Sequence, residues 1–287
     1  MAKSPAVEKV KRVFNLEEIY LPVRKELLLT ESEIFRQVNN TSFATKELLR
    51  YFLRKKGKFI RPALVLLSAK SVSEEPAPHT QKQLVSFAVA MEFIHSASLI
   101  HDDIIDDEII RRGQISLNKQ FSNQVAVLTG DVLYSRAFAI ISERFDVKII
   151  SLLSECVEGM CDGEIEELLK PSNSYTEYLK LTHKKTANLM SVCCYAGALI
   201  AKAGNRLAKS LGSFGLNFGI AYQIMDDYLD NSIPAGLNVN IILEAKKYVK
   251  RAEKNLKILG NSICKKSLEN LSEYIISPVG TLNQAHR

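Results

Sequence analysis

Three long runs of this sequence contain neither glycine nor proline: residues 79–112, 172–196 and 237–259. Each is far longer than a strand, which averages about five or six residues. Within them apolar residues recur at intervals of three and four, the spacing that gathers one face of a helix. Only 13 glycines and 8 prolines serve 287 residues, too few to punctuate a sandwich or barrel. The chain is therefore predicted to be all-α. Two segments rich in turn formers, SVSEEPAPHT (71–80) and NSIPAGLN (231–238), are predicted loops. No solenoid-type repeat and no Pro/Gly/Ser-rich linker divides the sequence, so residues 1–287 are expected to form one domain. With 46% hydrophobic and 24% charged residues, the chain can bury a large core.

Charge and leader patterns exclude several classes. The net charge of +6 comes from 38 basic and 32 acidic residues spread along the sequence, with no arginine-rich block or basic stripe interleaved with aromatics. Nucleic acid is not an expected partner. MAKSPAVEKVKRVF has no apolar core of signal-peptide length, and no stretch reaches eighteen uninterrupted apolar residues. The expected location is the cytosol. Cys156, Cys161, Cys193, Cys194 and Cys264 form no CxxC pair or Cys/His metal spacing and are expected to be reduced, buried thiols.

The run 79–112 ends in LIHDDIIDDEIIRRG, which sets Asp102, Asp103, Asp106 and Asp107 among apolar residues. The Asp-Asp-x-x-Asp spacing recurs in IMDDYLD as Asp226, Asp227 and Asp230. On a helix, positions i, i+1 and i+4 are predicted to set three carboxylates on one wall, and two such walls make an oxygen-lined cleft. At an effective dielectric near 20, two carboxylates ~5 Å apart repel by roughly 3 kcal/mol. Divalent cations relieve that repulsion, and hard oxygen ligands select Mg²⁺, with Mn²⁺ possible, over zinc. Magnesium keeps waters and shares its shell with substrate phosphates, so a diphosphate is the natural ligand.

Cations complete the pattern. GKFIRP offers Lys58 and Arg61; Arg111 and Arg112 follow the first motif; Lys185 and Thr186 lie in HKKTANL, an expected helix interior. Guanidinium forks bind phosphate oxygens bidentately, and lysine adds a point charge. In GSFGLNFGIAYQIMDDYLD, Gly215, Gly219, Gln223 and the three aspartates share one side. Glycine costs a helix about 1 kcal/mol relative to alanine, so the two glycines imply either close packing against a neighbour or space kept for a ligand.

Taken together, GKxxRP, HDDxxDxxxxRRG, GD, GE, KT and YQxxDDxLD resemble the trans-isoprenyl diphosphate synthases, over nearly the whole chain. The resemblance implies an all-α bundle around a deep central cavity, usually dimeric, that elongates an allylic diphosphate with isopentenyl diphosphate. It implies Asp102, Asp106 and Asp226 as direct Mg²⁺ ligands, three ions per site, with Asp103, Asp227 and Asp230 acting through water or from behind. Arg111, Lys185 and Gln223 would hold the allylic diphosphate, and Lys58, Arg61 and Arg112 the isopentenyl diphosphate. Thr186 would assist near the reacting carbons, and the released diphosphate would take the proton, since no side chain is an obvious base. Small residues at Ala97 and Ser98, one turn below Asp102, imply an open channel and a medium- or long-chain product that partitions to the membrane.

The sequence departs from the family pattern in three places. KGKFIRP has Lys56 in place of a glycine and Phe59 in place of an arginine; the only histidine considered for the isopentenyl site is His79; and the Gly/Lys/Asp-rich lid after the second motif is missing. After Asp230 the chain runs through NSIPAGLNVNII into EAKKYVKRAEKNLKILG, which resembles the family's far C-terminal helix. Either a segment has been deleted or the lineage dispenses with it. Both aspartate motifs favour an active homodimeric synthase, whereas the missing lid favours the alternative of a weakly active or regulatory subunit of a heteromeric synthase. A terpene cyclase would keep one aspartate motif but not Lys58 and Arg61.

Overall fold

The long breaker-free runs become long helices. In the computed structural model, which describes residues 15–234, 237 and 239–277, helices α1 (Leu16–Tyr20), α2 (Arg24–Asn39), α3 (Phe43–Leu53), α4 (Ile60–Val72) and α5 (Pro78–Ile105) lead into a two-stranded ribbon, β1 (Ile110–Arg111) and β2 (Gln114–Ile115). They are followed by α6 (Leu117–Gln120), α7 (Asn123–Arg144), α8 (Val147–Leu169), α9 (Tyr175–Thr182), a π-helical turn (His183–Ala187), α10 (Asn188–Ile200), α11 (Asn205–Leu229), α12 (Ile241–Asn255) and α13 (Ile263–Ile275). The basic stretch 1–14 lies outside the described residues.

Local chemistry starts these helices where they start. Ser122, Asp146 and Ser174 each accept a backbone N–H from three residues on, capping α7, α8 and α9. The predicted loop at 71–80 is shorter than expected: α4 continues to Val72 and α5 begins at Pro78. Proline suits a first helical position because its missing N–H would have had no partner there. In the second predicted loop, positions 235, 236 and 238 lie outside the described residues, and the flanking helices leave 230–240 between them.

At 28 residues, α5 is about 42 Å long and is the central rod. It packs against α4 and α7, while α10 packs on α4 and α11, and α12 lies along α11. One hydrophobic cluster runs from Ile19 to Ile275, and a smaller one joins Tyr178, Ala187, Ile224 and Ala245 beneath the end of α11. Helices α5 and α7 are long and apolar enough to cross a membrane by length and composition, but most of α5 is interior. Cys156, Cys193, Cys194 and Cys264 are buried, as expected; Cys161 is exposed, because it falls on the outer face of α8.

Candidate active site

Both aspartate motifs sit at helix C-termini, and they end their helices in the same way. Asp106 caps α5 and donates its N–H to the Asp102 carbonyl at 2.8 Å; Asp230 caps α11 and donates to the Asp226 carbonyl at 3.0 Å. Glu108 N–H reaches the Asp103 carbonyl and Ser232 N–H the Asp227 carbonyl, each at 2.9 Å. Asp107 and Asn231 follow with φ of 53° and 55°. The recurring sequence is therefore a recurring helix terminus. Carboxylates there face the negative end of the helix dipole, which adds to the need for cations.

This corrects the expectation of three carboxylates on one wall. The first and third aspartates of each motif keep the i, i+4 register, the third as the helix C-cap, and only the middle one turns aside. Asp103 is 1% exposed. It accepts Arg111 Nε at 2.6 Å and pairs with Nη2 of the same side chain, while its other oxygen is buried with no hydrogen-bond partner among the described residues. Burial raises its carboxyl and Arg111 opposes that rise. Asp227 accepts Tyr178 Oη at 2.6 Å and Gln223 Nε2 at 2.7 Å. Thr186 Oγ1 donates to Gln223 Oε1 at 2.8 Å, so Thr186, Gln223 and Asp227 form one hydrogen-bonded chain. Asp103 and Asp227 are thus occupied in holding other site residues.

Asp102 and Asp226 are the two partly buried carboxylates aimed into the cleft. Burial, then Glu164 beside it, pushes Asp102 up to about 7. Burial, then Asp230 and Asp227, does the same to Asp226. Arg111 lowers both Asp102 and Asp230, and Lys58 lowers both Asp226 and Asp230, so the two motifs and these cations share one space. Two under-compensated carboxylates opening on that shared space suit a hard divalent cation. Among the described residues no three acidic, histidine or cysteine side chains converge to enclose a metal ion. That donor set fits ions whose shells are completed by water and phosphate oxygens, as magnesium's are.

Lys185 and Thr186 lie on the π turn, not in a regular helix interior. Such bulges re-aim side chains at functional sites. The turn sends Lys185 to Glu164 at 2.6 Å and to Glu167, and Lys184 to Glu166 at 2.8 Å. Burial alone would lower the Lys185 ammonium, but the two glutamates outweigh it and raise it. Gly215 and Gly219 resolve in favour of close packing: a Cβ at Gly219 would lie 2.6 Å from Ala187 Cα, and one at Gly215 2.4 Å from the Met190 carbonyl oxygen. Of the two alternatives, the π turn and α10 fill the position, and no space is kept there for a ligand.

The remaining predicted cations meet in a cavity of about 240 Å³. Lys58, Arg61, Arg111 and Arg112 line it, together with Glu92 and His95. The ribbon turn explains RRG: Arg112 and Gly113 have φ of 53° and 70°, the positive values a two-residue hairpin turn needs. Arg111 thereby faces Asp103 while Arg112 enters the cavity. Gly57 makes room for it, since a Cβ there would lie 2.7 Å from Arg112 Nη2. Lys56, the departure from glycine, pairs outward with Glu31, and Phe59 takes a left-handed backbone at φ 54° to start α4.

His79 is not in this site. It is exposed at the opposite end of α5, and 23 residues from Asp102 it is about 35 Å away. The histidine that lines the cavity is His95, seven residues before Asp102 and so on the same helix face, a spacing that would have identified it. Glu92, a lone charge in an apolar run, was a second overlooked signal. Ala97 is 0% exposed, in the core with Met91 and Ile94, and is not among the residues that line this cavity. Ser98 is half-buried, with Oγ donating to the His95 carbonyl at 2.9 Å.

The polyprenyl synthetase family model matches residues 44–235. The chain belongs to that family. It is 31% identical over 223 residues to an octaprenyl diphosphate synthase of Haemophilus influenzae, covering 77% of this chain and 66% of the relative. It is 34% identical over 219 residues to heptaprenyl diphosphate synthase component 2 of Geobacillus stearothermophilus, covering 75% and 67%. The chain thus spans about two thirds of the length of these curated relatives. Among solved structures, a decaprenyl diphosphate synthase of Rhodobacter capsulatus superposes with a TM-score of 0.83 at 22% identity, over 92% of this chain and 99% of that one. A polyprenyl synthase of Caulobacter crescentus complexed with calcium and isoprenyl diphosphate gives 0.84 at 21%, over 93% and 99%. These likenesses establish the all-α isoprenoid-synthase fold.

Proposed function

We propose that this protein is a prenyltransferase that condenses isopentenyl diphosphate with an allylic diphosphate to give a medium- or long-chain polyprenyl diphosphate. The observation that carries the reading is the pair of aspartate-rich helix ends that share Arg111, with Lys185 beside Asp102 and the cavity lined by Lys58, Arg61, Arg111 and Arg112 next to them. The names of the octaprenyl and heptaprenyl relatives support the product class. The calcium and isoprenyl diphosphate in the Caulobacter structure support a divalent ion beside a prenyl diphosphate.

In this reading Asp102, Asp106 and Asp226, with Asp230 beside them, hold Mg²⁺, three ions with both substrates bound. When bound, these ions neutralise the charge of the departing diphosphate. Asp103 holds Arg111 in place, and the Thr186–Gln223–Asp227 chain fixes the polar wall next to Lys185. Arg111 and Lys185 take up diphosphate charge as the allylic C–O bond ionises. Lys58, Arg61, Arg112 and His95 hold isopentenyl diphosphate so that its double bond attacks the allylic carbon, and the released diphosphate accepts the proton. Catalysis is then electrostatic stabilisation and positioning.

The reading keeps a cytosolic enzyme whose apolar product passes to the membrane. A second copy of the chain is the proposed partner, supported by Val127 and Leu128, which α7 exposes at 42% and 64%. A heteromeric arrangement is the second reading, favoured by a relative named as one component of its synthase. The test is a labelled isopentenyl diphosphate assay with geranyl, farnesyl and geranylgeranyl diphosphates and Mg²⁺, with products sized by chromatography. Elongated products support the enzyme. No product, with a melting shift from diphosphate plus Mg²⁺ retained, supports the subunit reading, and loss of both refutes the site.

A further inference from the structure

Glu92 is a buried carboxylate in a place where a diphosphate is expected to bind, and nothing in the mechanism uses it. It is 4% exposed, midway along α5, between the apolar neighbours Met91 and Phe93. A charge so placed costs several kcal/mol unless it is compensated. It also lines the same cavity as Lys58, Arg61 and Arg112, where a negative group would repel an anionic ligand. Its presence there calls for a compensating role.

The guanidiniums supply one. Arg111 is clamped on Asp103, whereas among the described residues neither Arg61 nor Arg112 has a carboxylate in contact. Among the described residues Arg61 Nε is buried without a hydrogen-bond partner, and Arg112 donates to the Lys55 carbonyl at a long 3.4 Å. Arg61 and Arg111 both repel Arg112, and burial works against each charge. Glu92 is the foremost favourable charge for both Arg61 and Arg112; burial raises its own carboxyl, and Arg112 and then Arg61 oppose that rise and favour the ionised form. The other groups around it are His95 one turn along α5, Tyr222 from α11, Tyr20 from α1 and Cys193 from α10, none of them an anion at neutral pH. A contact ion pair would consume the N–H groups that phosphate oxygens need. A counter-charge fixed on a rigid helix and set back from contact holds the arginines in place and leaves those donors open.

We propose that Glu92 is a positioning residue that aims Arg61 and Arg112 into the cavity for the diphosphate of isopentenyl diphosphate. The proposal rests on the assignment of that substrate to this cavity. Glu92→Gln keeps shape and removes charge. It should raise KM for isopentenyl diphosphate, and its calorimetric Kd, about tenfold, comparable to losing one well-aligned charged hydrogen bond, while KM for the allylic substrate and kcat move less than twofold. Glu92→Asp, which keeps the charge one methylene farther away, should fall between wild type and Glu92→Gln. If Glu92→Gln does not fold, a Glu92→Asp variant with unchanged KM overturns the proposal. A fall in KM in Glu92→Gln also overturns it, since a carboxylate that merely repels the ligand would give that result. Arg61→Gln separates the two levels: if it raises KM for isopentenyl diphosphate and Glu92→Gln does not, only the role of Glu92 fails, and if neither does, the cavity assignment fails.

Discussion

Removing divalent metal should make the stability of this protein depend on pH in an unusual direction. Burial and neighbouring carboxylates push Asp102 and Asp226 from 3.8 to about 7 in the folded, metal-free protein. A carboxyl raised on folding contributes stability that is fully present below its unfolded value and lost as pH rises through its folded value. The loss therefore falls between about pH 4 and pH 7, where most proteins are gaining. Three units each set a ceiling of about 4 kcal/mol per group. Both side chains keep contact with water, so we expect about half, or roughly 4 kcal/mol for the pair, equivalent to about 8 °C in Tm for a chain of this size. His183, whose imidazolium is disfavoured by burial, works in the opposite sense below the usual histidine range and offsets a part. Glu33 and Glu244, held low by Arg36 and Lys247 among others, titrate below the scanned range. Thermal melts from pH 5 to 8 in EDTA span about two thirds of that window and should show Tm falling by about 5 °C, and Mg²⁺ at 100 times its Kd should restore about 2.7 kcal/mol. Asp226→Asn should flatten the slope and raise the metal-free Tm at pH 8. A flat profile in EDTA, or a variant as steep as wild type, would refute the account of buried carboxylates awaiting cations.

Three further outcomes follow from named contacts. Asp103→Asn leaves Arg111 half-buried without its partner; it should cost about 3 kcal/mol and raise KM for the allylic substrate, measured by melts and steady-state kinetics, and an unchanged Tm would show the pair to be idle. Gly219→Ala drives a methyl against the π turn; at about 1–3 kcal/mol of overpacking it should lower Tm and shift Thr186, so that kcat falls more than substrate binding. Ser98→Phe should shorten the product while leaving the first condensation intact, read by product chromatography, and an unaltered product distribution would place the channel elsewhere.

Residues along the chain determine a good deal here. The absence of Gly and Pro over 79–112 is enough to require a long helix, because periodicity and breakers are local properties. The two aspartate motifs are legible for the same reason: i and i+4 set Asp102 beside Asp106 whatever the helix packs against. Lys58, Arg61 and Arg112 were found by their company in sequence, and they do meet in one cavity. What the sequence could not settle is direction. Whether Asp103 turns to the cleft or to Arg111, whether the third aspartate extends a helix or caps it, and whether Gly219 leaves space or receives Ala187 depend on neighbours brought from far along the chain. Lys185 appeared to lie in a plain helix interior; the π turn that aims it at Glu164 and Glu167 arises where α8 and α11 press on the same segment. Glu92 and His95 are isolated polar residues in an apolar run until α4 and the ribbon bring Arg61 and Arg112 to the same cavity, and only that packing makes them part of a site.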